Sequence, residues 1–347
     1  MVELERIHGC LVGVGVGDAL GMPTEFLSLE QIRELYGEVR SFERTPEWHP
    51  LKHLPAGSMT DDTEQTLAIA GAVSKPGGFD VHDVAEALLA WSAAMDLGSL
   101  DQMGPSTNFA LKRLRQGDDP MKTGLRGNTN GAAMRIAPVG CIHAGDPGGV
   151  LEDVVTVCAP THLTDVAVAG AVAVASGVAE ALKVGSSLDS VLNAMLVGAR
   201  RGTERAREVI AVTTEGRVPW EVIAAQINPS LADRMEWALE VVDRAAGSPA
   251  ERRDVLARKI GTGVQMIETI PFVVGALRIA DGDPFEAAVL AANAGGDTDS
   301  LAAIAGGIGG ALKGAGSIPE ALRRRFQEVN RVSLEEVAAG LAARVRA

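Results

Sequence analysis

The chain has 347 residues, 46% of them hydrophobic and only 3% aromatic, which excludes wholesale disorder and favours many helices over a sandwich of aromatic-rich strands. Its 45 acidic residues against 32 basic ones give a formal net charge of −13, and no basic stripe with interleaved aromatics relieves it, so nucleic acid is not an expected partner. Cys10, Cys141 and Cys158 lack CxxC spacing and are odd in number, which argues against a disulfide framework or zinc knuckle and suits a reducing cytoplasm.

The charged start MVELERIHGC has no cationic segment ahead of an apolar one, so a signal peptide is not expected. The most apolar run, 166–179, is ended by Glu180 and is too short to cross a bilayer, so no membrane association is expected. Apolar residues recur at helical spacing and almost nowhere alternate at period two, which predicts an all-α fold. In chain order the spacing predicts helices over 3–20, 63–74, 81–95, 150–158, 165–183, 188–200 and 219–225. It continues with 234–246, 252–260, 267–279, 283–292, 301–313, 319–329 and 334–345. Gly77-Gly78, Gly145-Asp146-Pro147, Gly247-Ser248-Pro249 and Gly282-Asp283-Pro284 supply the breaks. No linker or internal repeat divides the chain, so residues 1–347 are expected to form one domain, acting as a monomer.

Two irregular stretches stand out. Residues 41–59, with Pro46, Pro50 and Pro55, read as a long surface loop of the kind that is commonly functional or mobile. Residues 117–130 are rich in Gly, Asp and Asn. Gly13, Gly17 and Gly21 recur every four residues, as do Gly306 and Gly310, a spacing that brings two helix backbones close together. Gly13-x-Gly15-x-Gly17 is not a dinucleotide fingerprint, because the spacing is wrong and no strand precedes it.

Two acidic clusters carry the chemistry. Met59-Thr60-Asp61-Asp62-Thr63-Glu64 leads into one predicted helix, and Gly295-Gly296-Asp297-Thr298-Asp299-Ser300 leads into another. Each alone is explained by helix capping, and Asp61 with Glu64 even has capping-box spacing. Together they offer four aspartate carboxylates and flanking hydroxyls, and if the turns meet, that charge needs cations to balance it. An all-oxygen donor set selects hard ions such as Mg2+ or Mn2+ over zinc or copper.

With these clusters in place, the chain resembles the ADP-ribosylglycohydrolase family, nearly end to end. The resemblance rests on Gly9-Cys10-Leu11 through Gly17-Asp18-Ala19-Leu20-Gly21, Glu25-Phe26, Thr60-Asp61-Asp62-Thr63 and Asp101-Gln102-Met103-Gly104. It extends through Gly127-Asn128-Thr129-Asn130-Gly131-Ala132-Ala133-Met134-Arg135, Thr161-His162 and 293–300. The resemblance implies an all-α fold holding two Mg2+ or Mn2+ ions between the acidic turns. The matching metal ligands are Thr60, Asp61, Asp62, Asp297, Asp299 and Ser300, the last standing where relatives usually have Thr. It also implies that Glu25 lies by the scissile bond or a metal, that Asp101 lies near the substrate ribose, and that His162 contacts phosphate or ribose.

The implied activity is hydrolysis of the C1″ glycosidic bond of ADP-ribosylated substrates, with ADP-ribose released. The substrate would be an ADP-ribosylated protein, linked through arginine or serine, or a small ADP-ribosyl metabolite. Glu25 is the candidate acid or base, with Asp62 or Asp101 as the alternative. Asn128, Asn130 and Gly131 have the composition of a turn whose N–H groups cradle pyrophosphate. Arg135 reads as a structural ion-pair partner, and the remaining histidines, His49 included, form no ligand set. Other readings are an ADP-ribose sensor without turnover, a hydrolase of another ribosyl N-glycoside, and a two-metal phosphatase that would release AMP.

Overall fold

A computed structural model of the protein describes residues 2–94, 103–220, 223 and 230–345. Among them are eighteen helices and no strand, so the fold is all-α. The first nine are α1 (Val2–Gly21), α2 (Leu29–Tyr36), α3 (Asp61–Val73), α4 (Val81–Ala94), α5 (Pro105–Arg115), α6 (Pro120–Thr123), α7 (Gly131–Met134), α8 (Ala137–Ile142) and α9 (Leu151–Cys158). The rest are α10 (Asp165–Ala181), α11 (Leu188–Thr213), α12 (Leu231–Arg244), α13 (Pro249–Ile260), α14 (Met266–Ile279), α15 (Pro284–Ala292), α16 (Thr298–Lys313), α17 (Glu320–Asn330) and α18 (Leu334–Val345).

Local chemistry sets the ends. Ser28, Ser187 and Ser248 open α2, α11 and α13 with reciprocal capping boxes to Gln31, Ser190 and Glu251. Pro271 lies inside α14, where a proline cannot donate to the carbonyl four residues back. That carbonyl, Ile267 O, is instead taken by Arg234 Nε at 3.0 Å, so the interruption leaves no orphan there.

One apolar core runs from Ile7 to Ala342. At its centre α10 is buried along its whole length, which is why its sequence is apolar on every face. Beside it α1 and α16 pack antiparallel along a zipper of small residues. A Cβ on Gly9, Gly13, Gly17 or Gly21 would lie 2.4, 2.0, 2.1 or 2.3 Å from the carbonyl oxygen of Gly310, Gly306, Ala302 or Thr298. The four-residue spacing therefore marks backbone-to-backbone packing, and it runs one step further, to Gly9, than the spacing from Gly13 suggests. No single helix among the described residues is long and apolar enough to cross a membrane.

Most predicted helices are present, with differences that have physical reasons. α11 continues to Thr213, past the predicted stop at 200, because Gly202 is a crossing point and not a break. A Cβ there would lie 2.9 Å from Ala169 Cα on α10. α2, α5 and α8 lie in stretches not predicted helical; α2 and α8 are only 8 and 6 residues long, too short to show two full periods. Residues 41–59 contain no helix, as predicted. The helix predicted over 219–225 falls mostly outside the described residues.

Candidate active site

Three turns converge at the open end of the α1–α16 zipper. The first precedes α3. Thr60 is the N-cap, its hydroxyl accepting from Asp62 N at 3.3 Å, so the predicted Asp61–Glu64 box is not what caps this helix. Glu64 instead accepts from Trp91 Nε1 at 2.9 Å. Asp18, buried on α1, holds the turn in place: its Oδ2 accepts from Thr60 N at 2.9 Å, Thr63 N at 3.2 Å and the Thr63 hydroxyl at 2.5 Å.

The second turn precedes α16. Gly295 and Gly296 adopt φ of 78° and 79°, and a Cβ on Gly296 would lie 2.4 Å from Thr262 O, so only glycine permits this path. Asp297 occupies the N-cap position but its carboxylate caps nothing; Oδ2 accepts from Asn130 Nδ2 at 2.5 Å. The third turn carries Glu25. Phe26 follows it with φ of 66°, costly for a non-glycine residue. The strain is held by paired backbone bonds, Phe26 N to Gly296 O at 2.8 Å and Gly296 N to Leu27 O at 2.9 Å.

The two acidic turns meet. The Ser300 hydroxyl donates to Asp62 Oδ2 at 3.2 Å, and carboxylate oxygens of Glu25, Asp297 and Asp299 lie within 4.8 Å of one another. Burial pushes Asp18 and Asp297 up to about 6 and Asp61 up to about 7. Burial, reinforced by neighbouring carboxylates, raises Glu25, Asp62 and Asp299 well above the usual range. Among the described residues, the buried Arg135 makes no ion pair with these carboxylates.

Arg135 is fully buried, and its hydrogen bonds run to Gln65 Oε1 at 2.5 Å and to Thr161 Oγ1, both neutral. The expected ion pair is thus replaced by a relay, since Gln65 Nε2 in turn donates to Asp61 Oδ2 at 2.7 Å. Burial lowers Arg135 to about 10, so it stays charged at neutral pH.

These residues fit divalent ions. Asp18 Oδ1 and Asp62 Oδ1 are buried with no protein partner, an arrangement that is costly unless something else fills it. The donors are carboxylate and hydroxyl oxygens, as hard cations require. Thr60, Asp61, Asp62, Asp297, Asp299 and Ser300 are therefore brought to one place, and Glu25 joins them.

The predicted substrate residues fare differently. Asn130 is 5% exposed and serves Asp297, with a second bond to Thr269 Oγ1 at 3.0 Å. Its backbone N–H goes to Val264 O at 2.9 Å, and Thr129 faces Gln265 in an isolated antiparallel bridge, so the 128–131 turn is tied to the 264–266 segment. Asn128 is half-buried beside it, and Gly131 packs on His162, whose Cε1 would be 2.8 Å from an added Cβ. His162 is fully enclosed, its Nδ1 paired with the Thr161 hydroxyl at 2.8 Å and its Nε2 with the Thr129 hydroxyl at 3.0 Å. Burial, helped by the charge of Arg135, pulls its pKa well down, which keeps the ring neutral in this arrangement. Asp101 lies outside the described residues.

Sequence reasoning assigned no role to Asp18, Gln65 or Asn293. An aspartate inside an otherwise apolar stretch, Val16-Gly17-Asp18-Ala19-Leu20, is the signal that was there to read. Asn293 clamps Val39 through both its N–H and C=O, each at 2.8 Å.

Comparison with known proteins accords with this geometry. The family model described as ADP-ribosylglycohydrolase matches residues 2–347. The uncharacterized Escherichia coli (strain K12) protein YegU is 33% identical over 344 residues, covering 98% of this chain and 97% of that one. The ADP-ribosyl-(dinitrogen reductase) glycohydrolase of Rhodospirillum rubrum is 32% identical over 46% of this chain and 51% of its own. Human ADP-ribosylhydrolase ARH3 is 24% identical over 92% of this chain and 87% of its own. A solved structure titled ADP-ribosylglycohydrolase-related protein complex shares the fold, with a TM-score of 0.68, 24% identity and 99% coverage of both chains. An acidic site assembled from three turns of an all-α fold and a family match over essentially the whole length agree: the chain belongs to the ADP-ribosylglycohydrolase family.

Proposed function

We propose that this protein is a Mg2+- or Mn2+-dependent hydrolase that cleaves the C1″ glycosidic bond of an ADP-ribosylated protein or small ADP-ribosyl compound and releases ADP-ribose. The observation that carries the reading is the meeting of the acidic turns at Asp62 and Ser300, with Glu25 beside Asp297 and Asp299. Thr60, Asp61, Asp62, Asp297, Asp299 and Ser300 would hold two divalent ions, which when bound supply positive charge to orient ribose hydroxyls and acidify a water.

The chain's own residues do the remainder. Glu25 has a side chain 15% exposed, whereas the aspartates 62, 297 and 299 are buried and the partly exposed Asp61 is already engaged by Gln65, so Glu25 is the carboxyl left to reach a substrate proton. It transfers that proton to the leaving group or takes one from water. Asp18 fixes the first turn and Asn130 the second, so neither ligand set must reorganise during the reaction. Asp62 is then a ligand in this scheme, and Asp101 is a candidate contact to the ribose. The three buried free cysteines suit a reducing cytoplasm.

Product analysis with ADP-ribosyl-arginine protein and ADP-ribosyl-serine peptide tests the reading. Free ADP-ribose released with Mg2+ or Mn2+ supports it, and the substrate that yields product names the linkage. AMP as the product would show pyrophosphate cleavage instead, and ADP-ribose binding without release from either substrate would make the protein a sensor.

A further inference from the structure

Residues 40–59 form a strap with no helix or strand, yet both its ends are fixed. Asn293 holds Val39, and Asn330 holds the far end, accepting from Met59 N and donating to Gly57 O, each at 2.9 Å. Between them the strap carries His49 inward until only 1% of it is exposed. The imidazole stands beside two rings, Phe26 at 5.8 Å and Trp48 at 5.7 Å between centroids, while those two rings are themselves 58% and 57% exposed.

The tautomer follows from one hydrogen bond. Leu51 N–H donates to His49 Nδ1 at 3.1 Å, so in the neutral ring Nε2 carries the hydrogen. That Nε2–H is buried and has no acceptor within hydrogen-bond distance. The group it faces is Glu25 Oε2, 3.9 Å away. A buried unpaired donor is unfavourable, and a shift of about 1 Å would pair it with a carboxylate at ordinary hydrogen-bond length.

We propose that His49 is a positioning residue for Glu25: its Nε2–H donates to the Glu25 carboxylate and fixes which oxygen faces Asp297 and Asp299. The strap is the device that delivers this donor, and the paired bonds of Phe26 and Leu27 with Gly296 hold the Glu25 backbone to meet it. The inference rests on the hydrolase reading for its kinetic consequence, but its effect on the acidic site does not need turnover.

His49→Phe keeps a ring between Phe26 and Trp48 and removes the donor, whereas His49→Gln places an amide N–H near the position of Nε2. Mn2+ binding to each purified variant is measured by titration calorimetry, with kcat and KM for ADP-ribose release and thermal unfolding alongside. For His49→Phe the account predicts Mn2+ affinity or kcat lowered about 10-fold or more. KM and melting temperature stay near wild type, and His49→Gln recovers most of the loss. Wild-type Mn2+ affinity and kcat in His49→Phe would overturn the proposal. Equal losses in both variants, tracking loss of thermal stability, would also overturn it by showing a packing role alone. If the wild-type protein hydrolyses neither substrate, the hydrolase reading fails, and the Mn2+ comparison still decides the role of His49.

Discussion

At the scale of single residues, the acidic site is defined by what its carboxylates do not do. Asp61 opens one helix and Asp297 sits at the N-cap of another, where a capping role is the ordinary expectation, yet Thr60 does the capping at one and no side chain caps the other. Asp18 is the residue that locks the first turn. Replacing it by Asn keeps an acceptor for Thr60 and Thr63 but turns the orphan Oδ1 into a donor among carboxylates. Asp18→Asn is expected to lower Mn2+ affinity about 10-fold in a calorimetric titration while the protein still folds.

The pH dependence of the metal-free protein follows from the same groups. Burial holds Asp18 and Asp297 near 6 and Asp61 near 7, against 3.8 for a free aspartate. Between about pH 4 and 7 the folded state therefore binds more protons than the unfolded state, so stability falls as pH rises through that window. Thermal unfolding in EDTA should show a lower melting temperature at pH 8 than at pH 5, and Mn2+ should raise it more at pH 8. A melting temperature independent of pH would mean that these carboxylates are already compensated.

At the scale of elements, the α1–α16 zipper sets how closely the site's two helical supports approach. Asp18 on α1 and Asp299 on α16 belong to helices separated by glycine alone at several crossings, so the zipper transmits directly to the ligands. Gly13→Ala forces a methyl group to within 2.0 Å of Gly306 O, where only backbone movement can relieve it. The expected cost is about 3 kcal/mol, toward the upper end for overpacking, readable as a lowered urea midpoint. A midpoint equal to wild type would contradict the close approach. This element was legible because its spacing lies within one helix and repeats in another. α11 beyond residue 200 was not legible, because the role of Gly202 depends on α10, which contacts it from elsewhere in the chain.

At the scale of the whole molecule, the site is a tertiary assembly of segments separated by more than two hundred residues. Thr60–Asp62 and Asp297–Ser300 could be read in the sequence because each is a contiguous run of acids and hydroxyls before an apolar helix. Their meeting could not be read from spacing, since it depends on how α1, α3 and α16 pack. His49 was hidden for the same reason: its partner Glu25 lies across a turn held by Gly296, and the strap between has no periodicity. His162 and Asn130 are both buried, and what spacing could not show is that the Asn130 amide supports the Asp297 turn from behind. The measurement that bears most directly on the central claim follows ADP-ribose release from an ADP-ribosylated substrate as Mn2+ is titrated into metal-free wild-type protein and Asp299→Ala. The account predicts release that rises with Mn2+ occupancy in wild type and is abolished in the variant. Release that persists undiminished in EDTA, or in Asp299→Ala, would contradict it.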